Sequence, residues 1–315
     1  MGSQAVEQQA VQQADQKVRT PDGRELMVRI SGDPRGRPVF LLHGTPGSRV
    51  GPAPRVPILH RQGIRLISYD RPGYGGSTRR PGRLVRDAAA DVRAIAEYLE
   101  LKRFAVVGRS GGAPHALACA ALLDDLVTRC VSLVALAPID AHGTEGFDWY
   151  AGMAPSNVEA YRDAQQEGYE EFIQDLLRQR REPIAGRAGD AGHLIEELDK
   201  EWTPTDRRIV SDAGIRRQLR LSYQEALQDD TDAGGWVDDV LAFTRPWGFA
   251  PDQVPEHVGV LLYHGEQDVF SPASHTRWLE RHIPHAEVTI EPGVSHFHNL
   301  RRLPRLLAWA ADGEE

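Results

Sequence analysis

Glycines surround a serine in the stretch GRSGG, residues 108–112, which directly follows the apolar run FAVV. Glycine permits backbone turns that are too tight for a side chain. At the end of a strand, such a turn would hold Ser110 in a strained conformation with its hydroxyl group exposed. A loose glycine-rich turn is the alternative interpretation. The pattern therefore marks Ser110 as a candidate nucleophile.

A serine hydroxyl is a weak nucleophile unless a base accepts its proton. Two suitable side chains follow later apolar runs: Asp268 comes just after VGVLLYHG, and His296 comes just after AEVTIEPG. Because the carboxyl ends of parallel strands meet at one edge of a sheet, we expect Ser110, Asp268 and His296 to converge there. We predict a catalytic triad in which His296 is the general base and Asp268 orients its imidazole.

Other residues compete for two of these roles. His298 lies two positions beyond His296, which is preferred because it directly follows the turn at residues 293–295. Asp140, after the sixth strand, and Glu266 are the alternative acids.

The chemistry also needs hydrogen-bond donors for an oxyanion. The glycine-rich loop HGTPGS, residues 43–48, follows the first buried strand, and we predict that the backbone N–H groups of Thr45 and Gly111 are the donors. We interpret His43 as a brace for this loop and His264 as a buried or supporting residue. A second glycine-rich loop follows a strand at residues 69–77, where Asp70 and Arg71 are expected to hold loops together by hydrogen bonds and charge pairing.

Short apolar runs alternate with longer helical patterns along the chain, which indicates a parallel sheet covered by helices. A hairpin is predicted around Asp22-Gly23. The predicted fold is α/β, with a mostly parallel central sheet and helices on both faces. We predict buried strands over residues 38–44, 64–70, 104–108, 130–138, 258–265 and 286–293.

The segment from residue 140 to 234 breaks this alternation, because it is rich in charge and helix formers and has no convincing buried strand. We predict a helical cap there, inserted after strand six. The core would span residues 17–139 and 235–315, after a flexible extension over residues 1–16. A cap would cover the serine and set specificity. The candidate substrate-binding residues are Arg109, which no local rule explains, and Phe147, Trp149, Tyr150 and Met153 near the start of the cap.

The motifs HGTPG, DRPGYGGS, GRSGG, HGEQD and GVSHF occur in one order, and the chain resembles serine hydrolases of the α/β-hydrolase fold over about residues 20–312. The similarity is to the capped, esterase or aminopeptidase-like branch. It implies a capped α/β-hydrolase fold and hydrolysis of a carboxylic ester or lactone of a small to medium organic molecule through an acyl-enzyme. Ester, lactone, thioester and amide substrates remain open.

Related families differ from the chain at particular residues. The HGTP stretch also resembles the loop of epoxide hydrolases and dehalogenases, but those proteins carry an aspartate at the elbow, where this chain has Ser110. Proline iminopeptidases usually carry a GGSWG-like elbow and an HGGPG loop, from which Arg109 and Thr45 depart. The alternative functions are an iminopeptidase-like aminopeptidase or amidase, and a non-catalytic ligand-binding protein of the same fold.

The composition of the chain limits its expected partners and its expected location. The 315-residue chain has 45 acidic and 37 basic residues, and its charge of −8 argues against nucleic acid or an anionic membrane as a partner. No apolar run approaches the roughly 20 residues of a membrane helix, and the first residues do not resemble a signal peptide. With Cys119 and Cys130 read as reduced thiols, we predict a cytoplasmic protein. A small-molecule substrate is expected, with neither metal nor organic cofactor; the acidic cap slightly favours neutral or cationic substrates.

Overall fold

An eight-stranded sheet organises the computed structural model, which describes residues 14–165, 192–227 and 233–313. The strand order is β1-β2-β4-β3-β5-β6-β7-β8. The strands are β1 (Ala14–Arg19), β2 (Glu25–Gly32), β3 (Arg37–Leu42), β4 (Ile64–Tyr69), β5 (Phe104–Arg109), β6 (Val127–Leu133), β7 (Gly259–Gly265) and β8 (Glu287–Glu291).

Most of the sheet is parallel, as predicted. β1 and β2 form an antiparallel hairpin whose turn contains Gly23 at a φ of 89°, and β2 also runs antiparallel to β4. Every other pair of neighbouring strands is parallel. The central strands β3 and β5 contain runs of consecutive buried apolar residues, VFLL and FAVV, because both of their faces are covered.

Helices cover both faces of the sheet. They are α1 (Val56–Arg61), α2 (Ala88–Tyr98), α3 (Gly112–Leu122), α4 (Pro155–Asp163), α5 (Gly192–Asp199), α6 (Pro204–Val210), α7 (Ala213–Ala226), α8 (Gly234–Phe243), α9 (Ala273–His282) and α10 (Asn299–Ala311). Alternate strand residues point to opposite faces. Phe40 and Val106 therefore pack with α2, α3, α8 and α9, whereas Val39 and Val107 pack with α1 and α10.

Most strands lie within two residues of their predicted bounds, and two depart further. β6 begins at Val127 and ends at Leu133, because Val134 has a φ of 48° and turns the chain out of the strand. The residues that follow remain buried, so the apolar run continues past the end of the strand. β1 begins at Ala14, inside the predicted extension, and its first residues pair with the end of β2. Residues 1–13 lie outside the described part.

Helices α4 to α7 lie between β6 and α8, where the cap is predicted. Side chains from α5, α6 and α7 form their own apolar cluster, which also includes Phe297 and Leu300 from the core. Through this cluster, the helical segment packs against the part of the core that contains Phe297 and Leu300. The cap boundaries at 140 and 234 stay a prediction, and residues 166–191 and 228–232 of the predicted cap lie outside the described residues.

Within the described ranges, no helix combines the length and the apolar character needed to cross a bilayer. Cys119 and Cys130 are buried free thiols.

Candidate active site

Ser110 occupies the sharp turn that joins β5 to α3, with a φ of 53°. Its backbone N–H donates to the carbonyl of Leu133 at 2.8 Å. A Cβ atom on Gly108 would collide with the carbonyl of Gly112, and one on Gly112 would collide with backbone oxygens at the end of β3 and just beyond it. The glycines thus let strand and helix approach closely enough to hold the serine in a conformation that side-chain-bearing residues rarely adopt.

Asp268 and His296 meet at the same edge of the sheet, after β7 and β8 respectively. His296 Nδ1 lies 2.7 Å from Asp268 Oδ2. The other carboxylate oxygen accepts the backbone N–H groups of Phe270 and Ser271 at 2.8 and 3.1 Å. A carboxylate on Nδ1 fixes the proton there and leaves Nε2 available to accept one.

The environment of Asp268 keeps its carboxylate ionised. Burial acts to raise the pKa of Asp268, but the charge on His296 and hydrogen bonds from His264 and His296 outweigh it and place the pKa below its ordinary range. The ionised form stabilises the folded protein above the ordinary aspartate pKa, and this contribution is lost as the pH falls through the lowered value.

Ser110 and His296 line one cavity of about 110 Å³. Among the described hydrogen bonds, none joins Ser110 Oγ to His296. Such a contact is often long without substrate and tightens in the reactive complex. The cavity therefore brings together the serine and the ring that would take its proton.

Thr45 and Gly111, the predicted oxyanion donors, line the same cavity. Neither backbone N–H donates a hydrogen bond to another described residue. A Cβ on Gly111 would collide with the Thr45 side chain, so glycine permits the two loops to meet. Two unpaired N–H groups beside a nucleophile match the needs of an oxyanion.

A buried network fixes the loop that carries Thr45. Arg71 donates from its backbone N–H to His43 Nε2 at 3.1 Å and from its guanidinium to Gly44 O at 3.0 Å, and it pairs with Asp239 at 2.5 Å. Burial and the Arg71 charge lower the pKa of His43 well below its ordinary value, so this ring is a neutral brace. His43 and Arg71 thus hold the loops together, as predicted.

Asp70 holds a neighbouring pair of loops. Its carboxylate accepts the backbone N–H of Arg49 at 2.7 Å and pairs with the Arg49 guanidinium at 2.6 Å. It also accepts the N–H of Gly76 at 3.2 Å.

Sequence reasoning missed Asp239 on α8, which stands at the centre of this network. Its carboxylate accepts hydrogen bonds from Thr45 Oγ1 at 2.5 Å and Tyr74 Oη at 2.8 Å, and it pairs with Arg83 at 2.7 Å. Burial acts to raise the pKa of Asp239, but the charges of Arg71 and Arg83 outweigh it and lower the pKa well below its ordinary value. The signal available in the sequence was an acidic pair within the apolar helix GGWVDDVLAF.

The competing residues lie elsewhere. His298 contacts Glu291 at 3.3 Å, and Asp140 and Glu266 are exposed. His264 is buried, bonds to Thr276 at 2.7 Å and lies 3.4 Å from Asp268. It therefore supports the carboxylate.

The sequence predicts five substrate-binding residues, and four of them do not line the cavity. For these four the prediction is corrected. Phe147, Trp149 and Met153 are buried and Tyr150 is half-buried. The Trp149 indole donates to the carbonyl of Ala137 at 2.8 Å and packs against His275. Their apolar faces pack in the main hydrophobic core. The predicted cap instead contributes Ser156, Asn157, Ala160, Tyr161, Leu198 and Tyr223 to the cavity wall.

Arg109 does line the cavity. Its Nε donates to Asn299 Oδ1 at 3.1 Å, and its guanidinium lies 5.3 Å from the centre of the Phe297 ring. Across the described ranges, no three His, Cys, Asp or Glu side chains are grouped to hold a metal ion.

Comparison with known proteins places this architecture in a family. Residues 37–302 match the model of the family described as alpha/beta hydrolase fold. The chain is 27% identical to a proline iminopeptidase of Arabidopsis thaliana over 311 residues, covering 88% of this chain and 76% of the relative. It is 24% identical to a non-heme haloperoxidase of Rhodococcus erythropolis, covering 89% and 92% of the two chains. An esterase from Exiguobacterium antarcticum has a similar structure, with a TM-score of 0.68, 18% identity and coverage of 95% and 99%. The chain belongs to the alpha/beta hydrolase fold family.

Proposed function

We propose that the chain is a serine hydrolase that cleaves a carboxylic ester, or a lactone, of a small to medium organic molecule. The observation that carries this proposal is the 2.7 Å contact between His296 and Asp268 on a cavity that Ser110 also lines. The left-handed conformation of Ser110 and the unpaired N–H groups of Thr45 and Gly111 support it.

The reaction proceeds in two halves. Ser110 Oγ attacks the ester carbonyl carbon while His296 accepts its proton, and the N–H groups of Thr45 and Gly111 stabilise the oxyanion. His296 then returns the proton to the departing alcohol, which leaves the acyl group on Ser110. Water gives a proton to His296 and attacks the acyl-enzyme. His296 then returns this proton to Ser110 Oγ as the bond to the acyl group breaks, which releases the acid and restores the serine.

The charges of the cavity favour an ester over an N-terminal peptide. An aminopeptidase must bind a protonated α-amine, which calls for a carboxylate in the substrate site. Within the described part of the chain, neither Asp nor Glu lines the cavity, and Arg109 adds a positive charge. The charges of the cavity therefore support an esterase activity better than the iminopeptidase activity for which the Arabidopsis relative is named.

Substitution of the proposed nucleophile tests the mechanism. Ser110→Ala should reduce hydrolysis of p-nitrophenyl esters by at least about 10³-fold, since attack on the carbonyl is lost. Ser156→Ala is the matched control, because this serine lines the same cavity and is bonded to Glu201. It should lose far less activity. Equal rates in the Ser110→Ala and parent proteins would refute the proposed role.

A fluorophosphonate probe separates an enzyme from a ligand-binding protein of the same fold. The wild-type protein should be labelled and the Ser110→Ala protein should not, because only an activated serine attacks the probe. A panel of esters, lactones, thioesters and aminoacyl anilides then identifies the acyl class. An unlabelled wild-type protein that cleaves none of these substrates would support the binding function.

A further inference from the structure

Arg109 is a buried cation that lacks a counterion in the described part of the chain. The residue lines the cavity, and only 6% of it is exposed. The hydrogen bond from Nε to Asn299 is neutral, and the buried Nη2 has no acceptor among the described residues. No described carboxylate lies within ion-pair distance of the guanidinium, although Asp268 and Asp206 act on it from further away.

Such an arrangement is costly unless a ligand completes it. A buried charge loses much of its solvation, and only a well-placed partner offsets this loss. Burial lowers the pKa of Arg109, yet a guanidinium remains protonated at neutral pH. An anion that enters the adjoining cavity would supply the counterion that the buried guanidinium lacks among the described residues.

The surroundings present the guanidinium in one orientation. The face of Phe297 lies 5.3 Å away on one side, and Asn299 holds Nε. Tyr223 and Phe270 contribute other parts of the cavity wall. The planar fork of an arginine matches the two oxygens of a carboxylate, and apolar walls strengthen the pair by excluding water.

We propose that Arg109 binds a carboxylate of the substrate, so that the substrate is an anionic ester: a half-ester of a dicarboxylic acid or a lactone that carries a carboxylate. This inference rests on the proposed hydrolase function and names the substrate class for it. Since no described acidic residue lines the cavity, nothing in that wall repels such an anion. The acidic composition of the predicted cap suggests neutral or cationic substrates, whereas the proposed site on Arg109 prefers anionic substrates.

A purely positioning role is the competing explanation. Asn299 Nδ2 donates to the carbonyl of His296, so Arg109 could act only by holding Asn299 and, through it, the histidine loop. That role would affect neutral and anionic esters equally. The two roles are therefore separated by the ratio between paired substrates, not by activity alone.

Binding measurements in a Ser110→Ala background test the proposal without hydrolysis. The probes are the monomethyl esters of succinate, glutarate and adipate, each compared with the neutral amide of the same shape. We expect the best acid to bind about 10- to 100-fold more tightly than its amide, as a charged hydrogen-bonded pair provides. Adding Arg109→Gln should remove most of this ratio, and Arg109→Lys should keep part of it. Adding Ser156→Ala, the matched control on the same cavity wall, should preserve it.

Each outcome decides a separate point. Equal binding of acid and amide would overturn the proposal even if Arg109 variants fail to fold, because that comparison needs no change at Arg109. A ratio that survives Arg109→Gln, or that Ser156→Ala abolishes equally, would also overturn it. Arg109-dependent acid binding in a protein whose wild type cleaves no ester would support the anion site and refute the hydrolase function. Ester cleavage by a protein that binds acid and amide equally would support the hydrolase function and refute the anion site.

Discussion

Asp239 is the residue through which α8 stabilises the proposed oxyanion loop. Replacing it by Asn should destabilise the protein by about 3 kcal/mol, because the buried Arg71 and Arg83 lose their counterion. It should also lower kcat for a p-nitrophenyl ester by roughly tenfold or more, since Thr45 loses its charged acceptor and its N–H group is held less firmly. Urea unfolding and steady-state kinetics measure the two effects.

The adjacent carboxylate provides the control. Asp238 pairs with Arg79, which is partly exposed, and no contact joins it to Thr45 in the described structure. Asp238→Asn should therefore change kcat much less than Asp239→Asn. Equal losses of kcat in the two variants would contradict a role for Asp239 in positioning the loop.

The sequence predicts residues of this site to different extents. Ser110, Asp268 and His296 are each recognisable because each follows a predicted strand, and strand ends of a parallel sheet converge. The strand before His296, β8, is an edge strand without buried residues, so the prediction of a buried strand there was wrong. Asp239 has no such local signal. Its partner Thr45 is 194 positions away, so only the tertiary structure shows that one carboxylate joins them.

Among the elements, α4 determines the space above the serine. Tyr161 lies on this helix, lines the cavity and packs edge-on against Trp149. Tyr161→Ala should enlarge the cavity and shift the preferred acyl chain of p-nitrophenyl esters toward longer chains, by about tenfold in relative kcat/KM for two added carbons. The measurement is kcat/KM from acetate to decanoate.

Tyr150→Ala is the matched control, because Tyr150 also packs against Trp149 but does not line the cavity. Its chain-length profile should follow that of the wild type. A shift as large as that of Tyr161→Ala would restore the original prediction that residues 147–153 form the pocket. That prediction failed because an aromatic stretch has the same composition whether it faces a cavity or packs in the core.

For the molecule as a whole, buried histidines make stability depend on pH. Burial is the main cause that lowers the pKa of His115 and of His275 to about 3, and it lowers that of His43 well below the ordinary value. In the unfolded chain these rings bind protons below about pH 6.5, whereas in the folded protein they stay neutral. The unfolded state therefore gains protons first, and the free energy of unfolding falls as the pH drops from 6.5 toward 3.

Three buried carboxylates oppose this effect, because burial raises the pKa values of Asp70, Asp91 and Asp238. Burial raises the pKa of Asp70 to about 6, so its protonation in the folded state adds stability as the pH falls from about 6 to 4. Each histidine contributes a slope of up to about 1.4 kcal/mol per pH unit, and the carboxylates offset part of the sum. The histidines lose their stabilising effect from about pH 6.5 downward, so the free energy of unfolding should fall between about pH 7 and pH 5.

Urea unfolding at pH 7, 6 and 5 measures this slope, and single substitutions assign it. His275→Gln keeps a side-chain acceptor for the backbone N–H of Ala137 and removes a group that is neutral only when folded. Its slope should be smaller by about 1.4 kcal/mol per pH unit. His60→Gln, which changes an exposed side chain, is the matched control and should leave the slope as it is in the wild type. If stability were constant from pH 7 to 5 in the wild-type protein, or if both variants had its slope, the acid sensitivity could not come from the buried rings.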